Sequence, residues 1–140
     1  MVSIYVAGSS RERERVGDVF RWIERNPGMK LMQNWLATID SYGDLRESDL
    51  PSVIRQKHVW LDLGDVKKAK YIWLLAPTTI TRGAWVEYGY ALALQQIQPD
   101  RYDIIVSGPS SVETIFCAVA KEFKTDAEAF GYILAQEGLK

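Results

Sequence analysis

Residues 71–92 read Tyr71-Ile-Trp-Leu-Leu-Ala76, then a short loop, and then Gly83-Ala-Trp-Val-Glu87-Tyr-Gly-Tyr-Ala-Leu92. The apolar run is typical of a strand buried on both faces, and the segment after the loop is typical of a helix. A buried strand that leads into a helix is the repeating unit of an α/β protein with a parallel sheet. In open sheets of this kind the ligand crevice lies at the carboxyl ends of the strands, which is where Glu87 is expected.

The same alternation extends to both sides of this stretch. Apolar runs predict strands at residues 2–7 and 102–106, and a weaker strand at residues 30–35. The predicted helices are one with an apolar face formed by Val16, Val19, Phe20 and Ile23, and those at residues 50–69, 82–97, 112–123 and 126–137. In the helix at 50–69, Gly64 suggests a break, or a fresh start near residues 60–62. Residues 41–48 are expected to form an exposed loop.

The apolar residues of the helix at 82–97 predict which of its sides is buried. The residues expected to face inward are Val86, Tyr90, Ala93, Leu94 and Ile97. Strands alternating with helices imply a mainly parallel sheet of about four or five strands that is covered on both faces, which is a three-layer α/β sandwich. The chain of 140 residues, with 47% apolar and 25% charged residues, fits a single domain, residues 1–140.

Composition excludes several classes of partner and cofactor. The net charge of −1 provides no global field for a nucleic-acid polymer or an anionic membrane. Cys117 is the only cysteine and His58 the only histidine, so we expect no internal disulfide, no metal site and no cofactor. The first apolar segment is too short for a signal sequence or a membrane span, which predicts a cytoplasmic protein.

Glu87 is the first candidate for chemistry. The positive partial charge at the start of a helix is expected to keep this carboxylate ionised. An ionised carboxylate in a ligand crevice can attack an electrophilic carbon. The alternative is that Glu87 is an ordinary acid that complements the helix dipole.

A second candidate site is Gly8-Ser9-Ser10-Arg11, directly after the first strand. Backbone amides at a helix start, two hydroxyls and an arginine can cradle a phosphate. The alternative is that Ser9 or Ser10 caps the helix and that Arg11 belongs to a solvated, charged helix face.

Asp62 is a third candidate, 25 residues before Glu87 (87 − 62 = 25). It can act together with Glu87, or it can be a capping or dipole-complementing residue. Asp65 is a rival for either role. Several aromatic side chains offer flat surfaces on which a base could stack, namely Trp85, Tyr88, Trp35 and Trp60.

These motifs together resemble the nucleoside 2-deoxyribosyltransferase superfamily, which includes the 2′-deoxynucleoside 5′-monophosphate N-glycosidases. The resemblance is carried by Ile4-Tyr-Val-Ala-Gly8, by the Asp62 helix that ends in Ala69, and by the apolar strand followed by Gly83-x-x-x-Glu87-x-Gly89-x-Ala91. The strand and glycine at residues 104–108 fit the next element. The resemblance implies a flavodoxin-like or Rossmann-like sheet.

The resemblance also implies roles for individual residues. Glu87 falls on the family's nucleophile, Tyr5 on the tyrosine that orients it, and Asp62 on the helix aspartate near the sugar and base. Phosphate binding in the monophosphate hydrolases falls on the turn after the first strand, here Ser9, Ser10 and Arg11. The residues implied to bind substrate are Gly8, Ser9, Ser10, Arg11, Thr81, Arg82, Gly83 and Trp85.

The sequence departs from the family's pattern at three places. Lys70 stands where an aspartate is usual, Trp85 is bulkier than expected beside the glutamate, and the loop between Pro77 and Gly83 has its own character. At the position of Thr81, six residues before Glu87, the hydrolases have serine and the transferases have aspartate. The hydroxyl of Thr81 therefore favours the phosphate-binding branch of the family. Arg82 is either a second phosphate ligand or an exposed residue at the helix start.

The implied activity is cleavage of the N-glycosidic bond of a 2′-deoxynucleoside or its 5′-monophosphate, by hydrolysis or by base transfer. One alternative is an NAD glycohydrolase of the TIR type, which also uses a glutamate borne on a helix. Another is a module that binds a nucleotide without turnover. Members of the family assemble as homo-oligomers in which late residues of a neighbour lie near the site, and residues 107–116 could serve that purpose here.

Overall fold

A parallel sheet of five strands forms the centre of the structure, a computed structural model that describes residues 1–140. The strands lie in the order β2-β1-β3-β4-β5, and each neighbouring pair is parallel. Their bounds are Val2–Ala7 (β1), Met29–Leu31 (β2), Tyr71–Leu75 (β3), Asp103–Ser107 (β4) and Lys121–Phe123 (β5). This topology confirms the predicted α/β fold.

Five α-helices connect or flank the strands. Their bounds are Arg13–Arg25 (α1), Trp35–Ser41 (α2), Ser52–Lys68 (α3), Gly83–Ile97 (α4) and Asp126–Glu137 (α5). Short 3₁₀ helices lie at Glu47–Asp49, Pro109–Glu113 and Ile115–Val119. None of the helices combines the length and the apolar content that a membrane crossing requires.

Two apolar cores lie on the two faces of the sheet, because alternate residues of a strand point to opposite faces. On one face Ile4, Val6 and Trp73 pack against α1 and α5. On the other face Tyr5 and Leu74 pack against α3 and α4. All residues of β3 are buried, as expected for the central strand of a three-layer sandwich.

The connections place a crevice between β1 and β3. The chain leaves β1 toward β2 on one side, whereas it leaves β3 toward β4 on the other, and the two strands are direct neighbours. A reversal of this kind opens a crevice at the carboxyl ends of the two strands. The segments that follow Ala7 and Leu75 therefore form its walls.

Arg15 fixes the adjoining part of this sheet edge. Its guanidinium donates to both carboxylate oxygens of Asp126, at 2.7 and 2.8 Å, and to the carbonyl oxygens of Ala76 (2.8 Å) and Ser107 (3.0 Å). Gly108 lies directly beneath it with φ +110°, and a Cβ there would lie 2.5 Å from the guanidinium. The ends of β3 and β4 are thus held to α1 and α5.

Most of the predicted elements are present, including α5, where the side chain of Thr125 accepts a hydrogen bond from the amide of Glu128 at 3.1 Å. The prediction for residues 30–35 is wrong beyond Leu31: Asn34 caps a helix that begins at Trp35, and the side chain of Asn34 accepts from the amide of Ala37. The expected break at Gly64 is absent, since α3 runs unbroken.

Two further predictions are corrected. Residues 112–123 form 3₁₀ turns and strand β5 rather than a helix. The buried residues of α4 are Ala84, Tyr88 and Ala91, whereas Val86 and Ile97 are 63% and 76% exposed. Helix α4 is apolar on more than one side, so that periodicity alone does not identify its buried face.

Candidate active site

A cleft opens at the carboxyl ends of β1 and β3, at the crevice that the topology predicts. Its walls come from the end of β1, from α2, from the middle of α3, and from the loop and first turns of α4. The residues that line it are Tyr5, Gly8, Ser10, Gln33, Trp35, Thr38, Ile39, Tyr42, Glu47, His58, Asp62, Thr81, Gly83, Ala84 and Glu87.

Tyr5 and Glu87 meet at the base of this cleft. Tyr5 is 1% exposed on β1, and its hydroxyl donates to a carboxylate oxygen of Glu87. Glu87 lies in the second turn of α4, whose residues Ala84 and Tyr88 are buried against the sheet. The contact joins residues 82 positions apart in the chain and orients the carboxylate toward the cleft.

The environment of Glu87 favours its protonated form. Burial raises the pKa of Glu87 from 4.5 to about 8; the hydrogen bond from Tyr5 opposes this, and the nearby charges of Asp62 and Glu47 add to it. The helix start was expected to keep this carboxylate ionised, and the raised pKa of Glu87 contradicts that expectation. Helix-dipole effects fall off within the first turn, and Glu87 lies beyond it.

Tyr5 remains a donor throughout the range in which Glu87 titrates. Burial, followed by the charge of Glu87, raises the pKa of the Tyr5 phenol well above its usual value. The phenol therefore keeps its proton and can stabilise the carboxylate when Glu87 ionises. This contact lowers the pKa of Glu87, so Tyr5 acts in favour of the charged form.

Asp62 reaches the cleft from α3. Burial raises the pKa of its carboxyl group, and a hydrogen bond from the Gln33 side chain opposes this. The side-chain oxygen of Gln33 is buried and has no hydrogen-bond partner. Asp65, the rival of Asp62, does not line the cleft. The structure thus brings a second carboxyl group with a raised pKa into the same site as Glu87.

Several cleft residues, Tyr42 and His58 among them, were not singled out as site residues from the sequence. The Tyr42 hydroxyl lies 2.5 Å from Nδ1 of His58, and the two rings stack with centroids 5.6 Å apart and planes at 16°. His58 lies one helical turn before Asp62, which places both on one side of α3. The i, i+4 spacing of His58 and Asp62 was the available signal, but a solitary histidine gave no reason to weigh it.

The turn after β1 contributes only part of the predicted cradle. Gly8 and Ser10 line the cleft, whereas Ser9 and Arg11 do not. The Ser9 hydroxyl lies 2.8 Å from that of Thr79, and it accepts from the amide of Arg11 at 3.2 Å. The Arg11 side chain lines a separate surface groove along α1.

At the start of α4, too, only some of the predicted residues line the cleft. Thr81 and Gly83 line the cleft, whereas Arg82 is exposed outside it. Trp85 lies against the core of the α3–α4 face and makes an edge contact with Tyr88, with ring centroids 6.1 Å apart. Of the aromatic side chains predicted as stacking surfaces, only Trp35 lines the cleft, and its indole donates to the carbonyl of Val6 at 2.9 Å.

No cluster of three or more His, Cys, Asp or Glu side chains is arranged to hold a metal ion. A second, larger cleft lies at the opposite edge of the sheet, at the amino ends of β3 and β4. Four of its charged groups are paired with one another, in the contact of Lys121 with Asp103 at 2.8 Å and in that of Lys70 with Glu137.

Comparison with known proteins shows the fold. No protein-family model and no curated protein sequence matches this chain. Among solved structures, the chain is similar to the CMP N-glycosidase BcmB of Clostridium botulinum, with a TM-score of 0.54 and 15% sequence identity. The similarity covers 87% of this chain and 86% of that one. The two proteins thus share the α/β architecture over nearly their whole lengths.

Proposed function

We propose that this protein cleaves the N-glycosidic bond of a 2′-deoxynucleoside or its 5′-monophosphate, with Glu87 as the nucleophile. The observation that carries the proposal is the carboxylate of Glu87, held by the Tyr5 hydroxyl at the base of a cleft that also contains Asp62. The fold shared with an enzyme described as a CMP N-glycosidase supports the same class of reaction.

The first chemical step follows from this geometry. As the C1′–N bond breaks, its electron pair moves to the departing nitrogen and positive charge develops at C1′. Ionised Glu87 stabilises that charge and forms a C1′–O ester bond. Asp62, when protonated, donates its proton to the leaving base, for which a raised pKa is required.

The second step resolves the ester. Asp62, now a carboxylate, takes a proton from water, and the water oxygen attacks C1′ as the C1′–O bond to Glu87 breaks. A second nucleobase can replace the water, which gives base transfer. Both outcomes retain the configuration at C1′, because each step inverts it once.

The test is base release by the purified protein. Each of the four common deoxynucleosides, its 5′-monophosphate and, separately, NAD are incubated with the protein, with and without an acceptor base. Free base is measured by chromatography. Release of base supports the proposal, whereas release of nicotinamide from NAD alone would assign the protein to the NAD-cleaving class. Binding of a nucleotide without turnover of any substrate would favour the non-catalytic module.

Replacing Tyr5 by phenylalanine is expected to raise the pKa of Glu87 further, because the Tyr5 hydroxyl lowers it. With a 4-nitrophenyl 2-deoxyriboside, whose leaving group departs without a proton, kcat/KM then reaches half its maximum at a higher pH than in the wild type. At pH 7 we expect a loss of roughly ten- to a hundredfold in kcat/KM.

Tyr88→Phe is the matched control for this measurement. Tyr88 is equally buried on the same side of the sheet, but its hydroxyl donates to the carbonyl of Phe116 and not to a carboxylate. An unchanged pH profile in Tyr5→Phe, or an equal shift in both variants, would contradict the orienting role of Tyr5.

We further propose that this chain associates with a second copy of itself through the outer surface of α3, α4 and the adjoining 3₁₀ turn. This surface carries large exposed apolar side chains, namely Val53, Trp60, Val86, Ile97, Ile115 and Phe116. Because α3 and α4 pack side by side, we infer that these side chains form one apolar surface, which monomeric proteins rarely expose. A two-fold axis allows one such patch to cover its own copy.

The association is tested by measuring the molar mass in solution by light scattering. We expect the wild type to have at least twice the monomer mass of 15.9 kDa, and Ile97→Glu combined with Trp60→Glu to have the monomer mass. Leu45→Glu, which alters an exposed apolar residue outside this surface, is the control. A monomeric wild type at about 50 μM would refute the interface, since standard interfaces bind more tightly than this.

A further inference from the structure

We infer that the cleft selects an uncharged nucleoside and discriminates against its 5′-monophosphate. The inference rests on the proposed function and concerns the charge of the substrate. Its basis is the composition of the cleft wall, which contains Glu47, Asp62 and Glu87 but no lysine and no arginine. A phosphate monoester adds a charge of about −1.5 to −2 near neutral pH.

The position of the sugar determines which residues would meet a 5′-substituent. In the proposed reaction C1′ must lie over Glu87, and the base must point toward Asp62 on α3 for that residue to protonate it. The 5′-carbon then points away from α3, toward the turn at Gly8 and Ser10 and the loop at Thr81 and Gly83, which line the other part of the cleft. A phosphate would require donors from these two segments.

Several polar groups of the turn after β1 are paired within the protein. The Ser9 hydroxyl is paired with Thr79 at 2.8 Å and accepts from the amide of Arg11 at 3.2 Å. The amide of Glu12 donates to the carbonyl of Ser9 at 3.0 Å. The amides of Arg11 and Glu12 are thus engaged in closing the turn itself.

A carboxylate of the chain already occupies the donors of Thr78 in the second loop. Glu12 accepts from the amide of Thr78 at 3.2 Å, from the Thr78 hydroxyl at 3.0 Å and from the Arg15 guanidinium at 3.0 Å. Glu12 therefore occupies the donors of Thr78 and Arg15 that an external anion between this loop and α1 would otherwise use.

The nearby arginines are directed elsewhere. Arg15 is saturated by Asp126 and two carbonyl oxygens, and Arg13 is paired with Asp40. Arg11 lines the groove along α1, and Arg82 is exposed outside the cleft. The basic side chain that does line the cleft, His58, lies on α3 with Asp62. Neither a lysine nor an arginine therefore faces the 5′-carbon, and a phosphate would meet acidic side chains without a permanent cation to neutralise it.

A free 5′-hydroxyl suits the same wall. The hydroxyls of Ser10 and Thr81 line this part of the cleft and can each donate or accept a hydrogen bond with a neutral partner. The chain differs here from its structural neighbour, whose description names a nucleoside monophosphate as substrate. It also differs from the sequence-based interpretation of Thr81, which leaned toward the phosphate-binding branch.

The test compares kcat/KM for each deoxynucleoside, its 5′-monophosphate and its neutral 5′-O-methyl ether, at one pH and two salt concentrations. We expect the deoxynucleoside to exceed its monophosphate by about a hundredfold at low salt, with a smaller ratio at high salt because salt screens the repulsion. The methyl ether should resemble the deoxynucleoside. Glu47→Gln, which removes one negative charge from the cleft wall, should raise the relative rate on the monophosphate.

Each contrary outcome has its own meaning. Equal or faster cleavage of the monophosphate overturns this inference but leaves the proposed function intact. A methyl ether that is cleaved as slowly as the monophosphate overturns the electrostatic basis, since bulk would then be the cause. If none of the three classes releases base, the proposed function fails, and the inference fails with it.

Discussion

Replacing Glu87 by alanine is expected to lower kcat/KM for base release by at least about a thousandfold, the range seen when a nucleophile is removed. The Glu87 carboxylate is the group at the base of the cleft that accepts a hydrogen bond from the buried hydroxyl of Tyr5. Without it, the charge that develops at C1′ has no partner, and the covalent ester cannot form. The measurement is the initial rate of base release, read by chromatography.

Two observations make this result specific to nucleophilic catalysis. Glu14→Gln, which alters an exposed carboxylate on α1, should retain full activity. Added formate should restore part of the turnover of Glu87→Ala, because a small carboxylate fits the space that the side chain vacates. Full turnover by Glu87→Ala would remove the basis of the proposed function, whatever the substrate.

The three central strands of the sheet were predictable because they are continuous apolar runs between turn residues. Residues 71–75 and 103–107 have the length and composition of strands buried on both faces. The buried face of α4 was not predictable, because Val86 and Ile97 have the same apolar character as Ala84 and Tyr88. Hydrophobicity does not distinguish a face that packs on the sheet from one left exposed in the single chain.

The prediction for the segment after β4 was wrong for a different reason. Residues 112–123 contain an apolar stretch too short to distinguish a helix from a strand by its period. In the structure Tyr88 donates to the carbonyl of Phe116, and β5 pairs with β4 from Lys121 onward. Contacts between distant parts of the chain thus decide its conformation, and local sequence does not record them.

The candidate site was predictable in part. The family resemblance implied Tyr5, Asp62 and Glu87, and the fold brings all three to one cleft. The expected phosphate ligands were assigned by their position after β1, but whether a side chain faces the cleft depends on its partners. Ser9 is turned to Thr79, and Arg11 lies in a separate groove along α1.

The second large effect concerns stability: Glu87→Gln should be more stable than the wild type at alkaline pH. Burial raises the pKa of Glu87 from 4.5 to about 8 in the folded state. Below pH 4.5 the carboxyl group is protonated whether the chain is folded or not, so it carries no penalty. Between these pH values only the unfolded chain releases the proton, so the stability of the wild type falls as pH rises.

Above pH 8 the group is ionised in both states, and the penalty stays constant at a few kcal/mol, since each pKa unit corresponds to about 1.4 kcal/mol. Glutamine lacks the charge but keeps an oxygen that can accept from Tyr5. We therefore expect Tm of Glu87→Gln to exceed that of the wild type by roughly 5–10 °C at pH 9 and by little at pH 4. Thermal unfolding of both proteins at a series of pH values measures this difference.

The same proton governs both activity and stability. The ionisation that creates the nucleophile is the ionisation that destabilises the folded wild type, so both should be centred on one pKa of about 8. With the 4-nitrophenyl substrate, kcat/KM should level off at the pH at which the difference in stability stops growing, because both report the free enzyme. Equal stabilities of the two proteins at pH 9 would show that burial does not raise the pKa of the Glu87 carboxyl group. A stability difference without any matching rise in activity would show that Glu87 is a buried charge but not the nucleophile.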